Sequence, residues 1–184
     1  WTVLALLIAA GVAGSQEQAE NILPTLFWLI VWIAVPLSCG LLGDWTQAAN
    51  PFAAVARALD KSELRRKILG QSQALTWPTW LGWWPAVALY FTMACGELIF
   101  NQTVTLPAVI GWSLLAYGLL SGFMGLLAGE QWLQRGEVFS VLFATWGRLG
   151  YFRFGQSGKQ GFAGGLTQSF ATTASRVTFV RLLL

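Results

Sequence analysis

The chain has 184 residues, of which 55% are hydrophobic and 10% charged, with a net charge of +3 and a mean hydropathy of +0.58. Soluble domains carry about a quarter charged residues, so this composition excludes water as the main solvent and points to a membrane protein. The 11 basic residues form no dense run, which excludes a nucleic-acid surface. The lack of any histidine excludes His-ligated haem or chlorophyll, a His-rich metal hydrolase site and a Ser-His-Asp triad from this segment.

Taken in chain order, Thr2 to Val12 reads as part of a first span over about residues 1–14. No basic segment precedes it, so a signal-peptide core is not favoured, and the chain is expected to be a piece of a longer protein. Asn21 to Leu42 carries no charge and is long enough to cross a hydrocarbon core of roughly 30 Å. Pro24 falls in its first turn, whereas Pro36 lies in its interior and predicts a kink near Trp32. Asn50-Pro51 then predicts a capped start for an interfacial helix, with Phe52, Val55 and Leu59 at helical spacing. Asp60 with Glu63 predicts a capping box for a second turn that presents Arg65, Arg66 and Lys67 to solvent or lipid phosphates. The two turns together cover about residues 51–69.

The third span is expected over about residues 81–100, opened by an aromatic belt of Trp77, Trp80, Trp83 and Trp84. The fourth is expected over about residues 106–127, where Gly118 and Gly122 make a small-xxx-small pair for close helix packing. Glu137 to Phe154 predicts an interfacial or re-entrant helix, because Val138, Phe139, Leu142 and Trp146 share a face while Arg148 and Arg153 interrupt the apolar pattern. A glycine-rich connector follows, and a fifth span is expected to begin within residues 166–184. The fold class is therefore all-α: a polytopic transmembrane protein of four spans and the start of a fifth. Its interfacial helices lie on the cytoplasmic side. The segments joining spans one to two and three to four hold no lysine or arginine, and every basic residue from Arg57 to Arg181 falls on the other side. By the positive-inside rule that side is cytoplasmic in a bacterial inner membrane.

Few polar positions could carry chemistry. Glu97 lies near the end of span three and reads as an interfacial glutamate reaching outward, with a proton or ion site as the alternative. Asp44 reads as a turn residue that sets up the helix after Asn50. Glu130 and Glu137, on either side of Arg135, read as a local salt-bridge cluster or a cation site. Cys39 and Cys95 have no metal-type spacing and read as apolar packing residues. No cofactor is expected to be ligated by this chain, and its expected partners are membrane lipids, lipid or pigment tails and other membrane subunits.

Several words of the sequence also carry a resemblance: Gly43-Asp-Trp45 followed by Asn50-Pro51, Leu81-Gly-Trp-Trp-Pro-Ala86, Glu97-Leu98, Gln131-Trp132 with Arg135-Gly-Glu-Val-Phe139, and Gly147-Arg-Leu149. From about Asn21 onward the chain resembles a family of bacterial multi-span membrane proteins known as fenitrothion hydrolases. The resemblance implies a polytopic inner-membrane protein and, from the family name, hydrolysis of organophosphate esters. Three functions are thus expected: an accessory or scaffold subunit of a larger membrane complex, photosynthetic or respiratory; a membrane-bound hydrolase of hydrophobic esters; or a small-solute or proton-coupled transporter.

Overall fold

The computed structural model describes residues 2–154 and 174–183. Among them the protein is all-helical, with no strand. Apart from single turns at Trp45–Gln47 and Asn101–Val104, the helices are α1 (Thr2–Ala13), α2 (Ile22–Leu42), α3 (Pro51–Leu59), α4 (Ser62–Leu69), α5 (Trp84–Ile99), α6 (Pro107–Ala128), α7 (Glu130–Arg135), α8 (Val138–Gly147) and α9 (Ala174–Leu183). Of these, α2 and α6 are long and apolar enough to cross a membrane, while α1, α5 and α8 are shorter apolar helices. The glycine-rich connector and the expected helix start at Leu166 lie outside the described residues.

The interior Pro36 shapes α2. With no N–H of its own and a ring that crowds the carbonyl four residues back, proline breaks the ordinary helical ladder. The chain accommodates it by widening: Thr25–Ala34 is a π-helix, and the Val35 N–H reaches Ile30 O, five residues back. The expected kink thus takes the form of a long wide turn, which sends Phe27, Trp28, Val31 and Trp32 toward the bundle.

The central helix is α6. Gly111 meets Gly11 of α1 so closely that a Cβ on Gly11 would lie 2.8 Å from Gly111 Cα. Farther along, a Cβ on Gly125 would lie 2.4 Å from Ala56 O of α3, and one on Gly122 2.9 Å from Leu59 Cδ1. Gly118 faces open space, which corrects the expected Gly118 and Gly122 pair: the small residues that admit α3 are Gly122 and Gly125. The error is one of face, since α6 is apolar all round and spacing alone does not select the side that receives a neighbour.

Three further expectations are corrected. Arg65 is buried rather than solvent-facing. Its Nε donates to Leu126 O at 2.6 Å and a guanidinium N–H bonds Asp60, while the Leu75 N–H donates to Leu127 O at 2.8 Å. The last carbonyls of α6 thereby find donors, as a helix end withdrawn from water must. Asp60 consequently ends α3 and holds Arg65; it does not cap α4, whose N-cap position is Lys61. Trp77 is buried against Trp132 and donates Nε1 to Gly82 O at 2.9 Å, so it belongs to the core and not to an aromatic belt. Trp80 and Trp84 do remain exposed.

Gly125→Val should cost about 2–3 kcal/mol, because its side chain meets backbone that has no room to move. Gly118→Ala should be neutral or stabilise by up to about 1 kcal/mol, the ordinary helical gain. Thermal unfolding of the full-length variants in one detergent checks both; equal melting temperatures would contradict the packing assigned to Gly125.

Candidate functional site

Two helix starts meet beside the middle of α6. At the first, Asn50 caps α3: its Oδ1 accepts from the Phe52 and Ala53 N–H groups at 3.0 and 3.4 Å. At the second, Glu137 caps α8, accepting from the Phe139 N–H at 3.1 Å and the Ser140 N–H at 2.7 Å. A side-chain oxygen at such a position satisfies amides that have no partner within the helix, and a carboxylate also complements the helix dipole.

The two caps are bonded to each other. Asn50 Nδ2 donates to Glu137 Oε2 at 2.8 Å and to Ser140 Oγ at 3.1 Å. From α6, Tyr117 Oη donates to Glu137 Oε1 at 2.5 Å and accepts from the Val138 N–H at 3.0 Å. Glu137 is fully buried, and Phe52, Tyr117 and Phe139 pack around it with ring centroids 4.7–5.5 Å apart. A buried carboxylate is tolerable when its lone pairs are filled, and Glu137 has four donors.

Both helices run from this point toward one end of the bundle. Down α3, Val55 and Ala56 track Gly122 and Gly125 of α6, and Asp60 at the end of α3 meets Gly129 at the end of α6. Along α8, Trp146 reaches Gly40, and Gly147 lies against Asp44 beyond the end of α2. There Gly150 abuts Gly43, and the Tyr151 and Phe152 N–H groups donate to Leu41 O and Leu42 O at 3.1 and 2.8 Å. Gly43, with a φ of 112°, adopts a backbone that a side chain would strain.

A cavity of about 410 Å³ opens at that end, with Asn50 and Ser140 in its lining and the charged groups Asp44, Arg57, Glu130, Arg148 and Arg176 around it. Arg57 and Glu130 pair at 3.7 Å and are about half exposed. Arg176 stacks over Trp83 at 4.7 Å from the ring centre, and burial holds the Arg148 guanidinium below the usual arginine range. Asp44 accepts from Thr46 Oγ1 at 2.7 Å and Gln47 Nε2 at 3.2 Å, the expected turn role. On the other side of the network, Tyr117 and Phe139 line an apolar cavity of about 260 Å³ that extends past Met93 and Gly96 to Val104.

Of the candidate residues, Asp44, Asn50 and Glu130 share the polar cavity, and Glu137 lies just behind Asn50 and Ser140. The expected cluster of Glu130, Arg135 and Glu137 does not form: Glu130 turns to Arg57, Glu137 turns inward, and Arg135 pairs with neither carboxylate among the described residues. The two glutamates belong to different helix starts, Glu130 in the first turn of α7 and Glu137 as the cap of α8, with α7 ending at Gly136 between them. Glu97 stands apart and does not reach outward; its Oε2 accepts from Trp32 Nε1 at 2.7 Å. Sequence reasoning passed over Tyr117, Ser140 and Trp32. A signal for the first existed, since Tyr117 is a hydroxyl placed midway along an uncharged helix. No group of His, Cys, Asp or Glu suited to a metal ion occurs among the described residues. Comparison of the chain with family models, with curated proteins and with solved structures finds no match in any of the three.

Glu137→Ala should destabilise the bundle by about 3–5 kcal/mol, because it leaves several buried donors without an acceptor. Tyr117→Phe, which removes one hydroxyl, should cost about 1–2 kcal/mol. Denaturant titration of the full-length protein in mixed micelles reads both. A Glu137→Ala cost near that of an average surface substitution would mean the network carries no structural weight.

Proposed function

We propose that the protein is a multi-span inner-membrane transport protein for a small solute. In this reading α1, α2, α5 and α6 cross the membrane, a fifth span begins within residues 166–184, and the end of the bundle bearing Arg57, Arg148 and Arg176 faces the cytoplasm. The supporting observation is the meeting of two half-length helices, α3 and α8, at the buried Glu137, with a polar cavity on one side of that junction and an apolar cavity on the other. Helices that begin inside a bilayer are tolerated where they line a cavity, and their converging positive ends are a recurring way to build a binding point at mid-membrane. The Asn50, Tyr117 and Glu137 network then acts as the barrier that a permeating solute must open.

The topology is tested by single cysteines in a background lacking Cys39 and Cys95. Replacements at Gln18 and Gln102 should react with an impermeant thiol reagent from outside, and those at Lys67 and Gln134 only after the membrane is opened. Transport is tested with the full-length protein in liposomes, following shrinkage in small polyol gradients and proton flux with an internal dye. Flux above that of protein-free vesicles is expected, changed by about tenfold or more in a folded Glu137→Gln variant. Flux equal to that of protein-free vesicles for every solute would sink the reading.

A second reading is an accessory subunit of a larger membrane complex, favoured by the apolar side chains around the bundle that stay exposed, among them Leu98 at 82%, Trp80 at 76% and Leu119 at 68%. Lipid would cover the same surface, so extraction in mild detergent separates the two: a stoichiometric set of co-migrating polypeptides supports the subunit, and migration alone supports the transporter. The ester hydrolysis implied by the family resemblance is tested on the same extract with an aryl phosphotriester.

A further inference from the structure

A third cavity, of about 200 Å³, lies between α2, α5, α8 and α9. Its lining includes Trp32, Tyr90, Glu97, Leu142 and Trp146, and it shares no residue with the polar or the apolar cavity. Two features of this chamber define what it can hold.

The first is a carboxylate. Glu97 is half-buried on an apolar helix, and the indole N–H of Trp32 is a single neutral donor that does not offset its charge. Among the described residues no ion pair joins Glu97 to a lysine or arginine. A negative charge inside a bundle is expensive unless a positive one lies near, and the attraction grows as water is excluded.

The second is the wall. The rings of Trp32 and Tyr90 stack on each other, with centroids 5.3 Å apart and planes 23° apart, so a ligand meets the outside of the pair and does not enter between them, and Trp146 adds a third aromatic side chain. Aromatic faces attract cations, most strongly when the cation is desolvated. A metal ion or a primary ammonium would have to give up tightly held water to enter a chamber whose other lining is Ile33, Pro36, Leu37, Leu142 and Leu183. A quaternary ammonium holds its water weakly and brings apolar surface of its own. The widened turn of α2 supplies Trp32, and π-helical turns occur often at functional sites.

We propose that this chamber binds an organic cation of the quaternary-ammonium class, with Glu97 as counter-ion and Trp32, Tyr90 and Trp146 as the aromatic wall. The proposal does not depend on the transport reading, because the chamber is separate from the Glu137 junction. The test uses the full-length protein in nanodiscs whose lipids carry no choline headgroup. Binding of choline is compared by calorimetry with binding of its uncharged carbon isostere, 3,3-dimethylbutan-1-ol. Choline should bind at least about tenfold tighter than the isostere, and Glu97→Gln should erase that difference while leaving the isostere unchanged. Trp32→Phe, which keeps a ring and removes the indole donor, should stay within about threefold of the parent protein, whereas Trp32→Leu should lose about tenfold. Unaltered elution and melting temperature serve as the check on folding. Equal affinity for choline and its isostere, an unchanged choline affinity in Glu97→Gln, or no choline binding by the intact parent protein would each overturn the proposal.

Discussion

The structure depends on one constraint: a helix that begins away from water must have its first amides satisfied by the protein itself. Two such beginnings, at Asn50 and Glu137, are brought together so that each cap completes the other. The carboxylate accepts from both helices and from Tyr117, and the asparagine is donor and acceptor at once. Removing any one member exposes the rest as unpaired polar groups in an apolar core. The position of α3 and α8 against α6, and with it the division between a polar and an apolar cavity, follows from this junction.

Glycine sets the distances that the junction requires. Gly11 with Gly111 brings α1 onto α6, Gly125 brings the backbone of α3 onto α6, and Gly147 and Gly150 bring the end of α8 onto Asp44 and Gly43. At the last contact the strand-like backbone of Tyr151 and Phe152 feeds donors to the open carbonyls of α2. Words far apart in the sequence, Gly43-Asp-Trp45 and Gly147-Arg-Leu149, are thus one feature in space: a close approach of two backbones that ends α2 and α8 together.

Much of the helical framework was legible because apolar runs, proline positions and asparagine caps are local signals. The helices at Ile22–Leu42, Pro51–Leu59, Pro107–Ala128 and Val138–Gly147 begin where those signals put them to within a few residues. What was not legible is pairing across the chain. Asn50 reads as an ordinary cap and Glu137 as part of a local ion cluster, and nothing local says that the two bond each other over 87 positions. Arg65, three residues before Ile68, lies near the same side of its helix, but its charge makes it read as exposed; the bare carbonyls at the end of α6 draw it inward. Glu97 misled through its nearness to a helix end, since the indole it bonds is turned toward it by a π-helix that hydropathy does not reveal.

The mutual capping also imposes an order on biogenesis. When α3 leaves the ribosome its partner carboxylate has not yet been made, and the Asn50 side-chain amide has no Glu137 to donate to. Helix α3 can therefore complete its packing only after α5 and α6 have been made, when Glu137 and the first turn of α8 arrive. The final place of α3 is a property of the completed chain, and its own nine residues do not determine it.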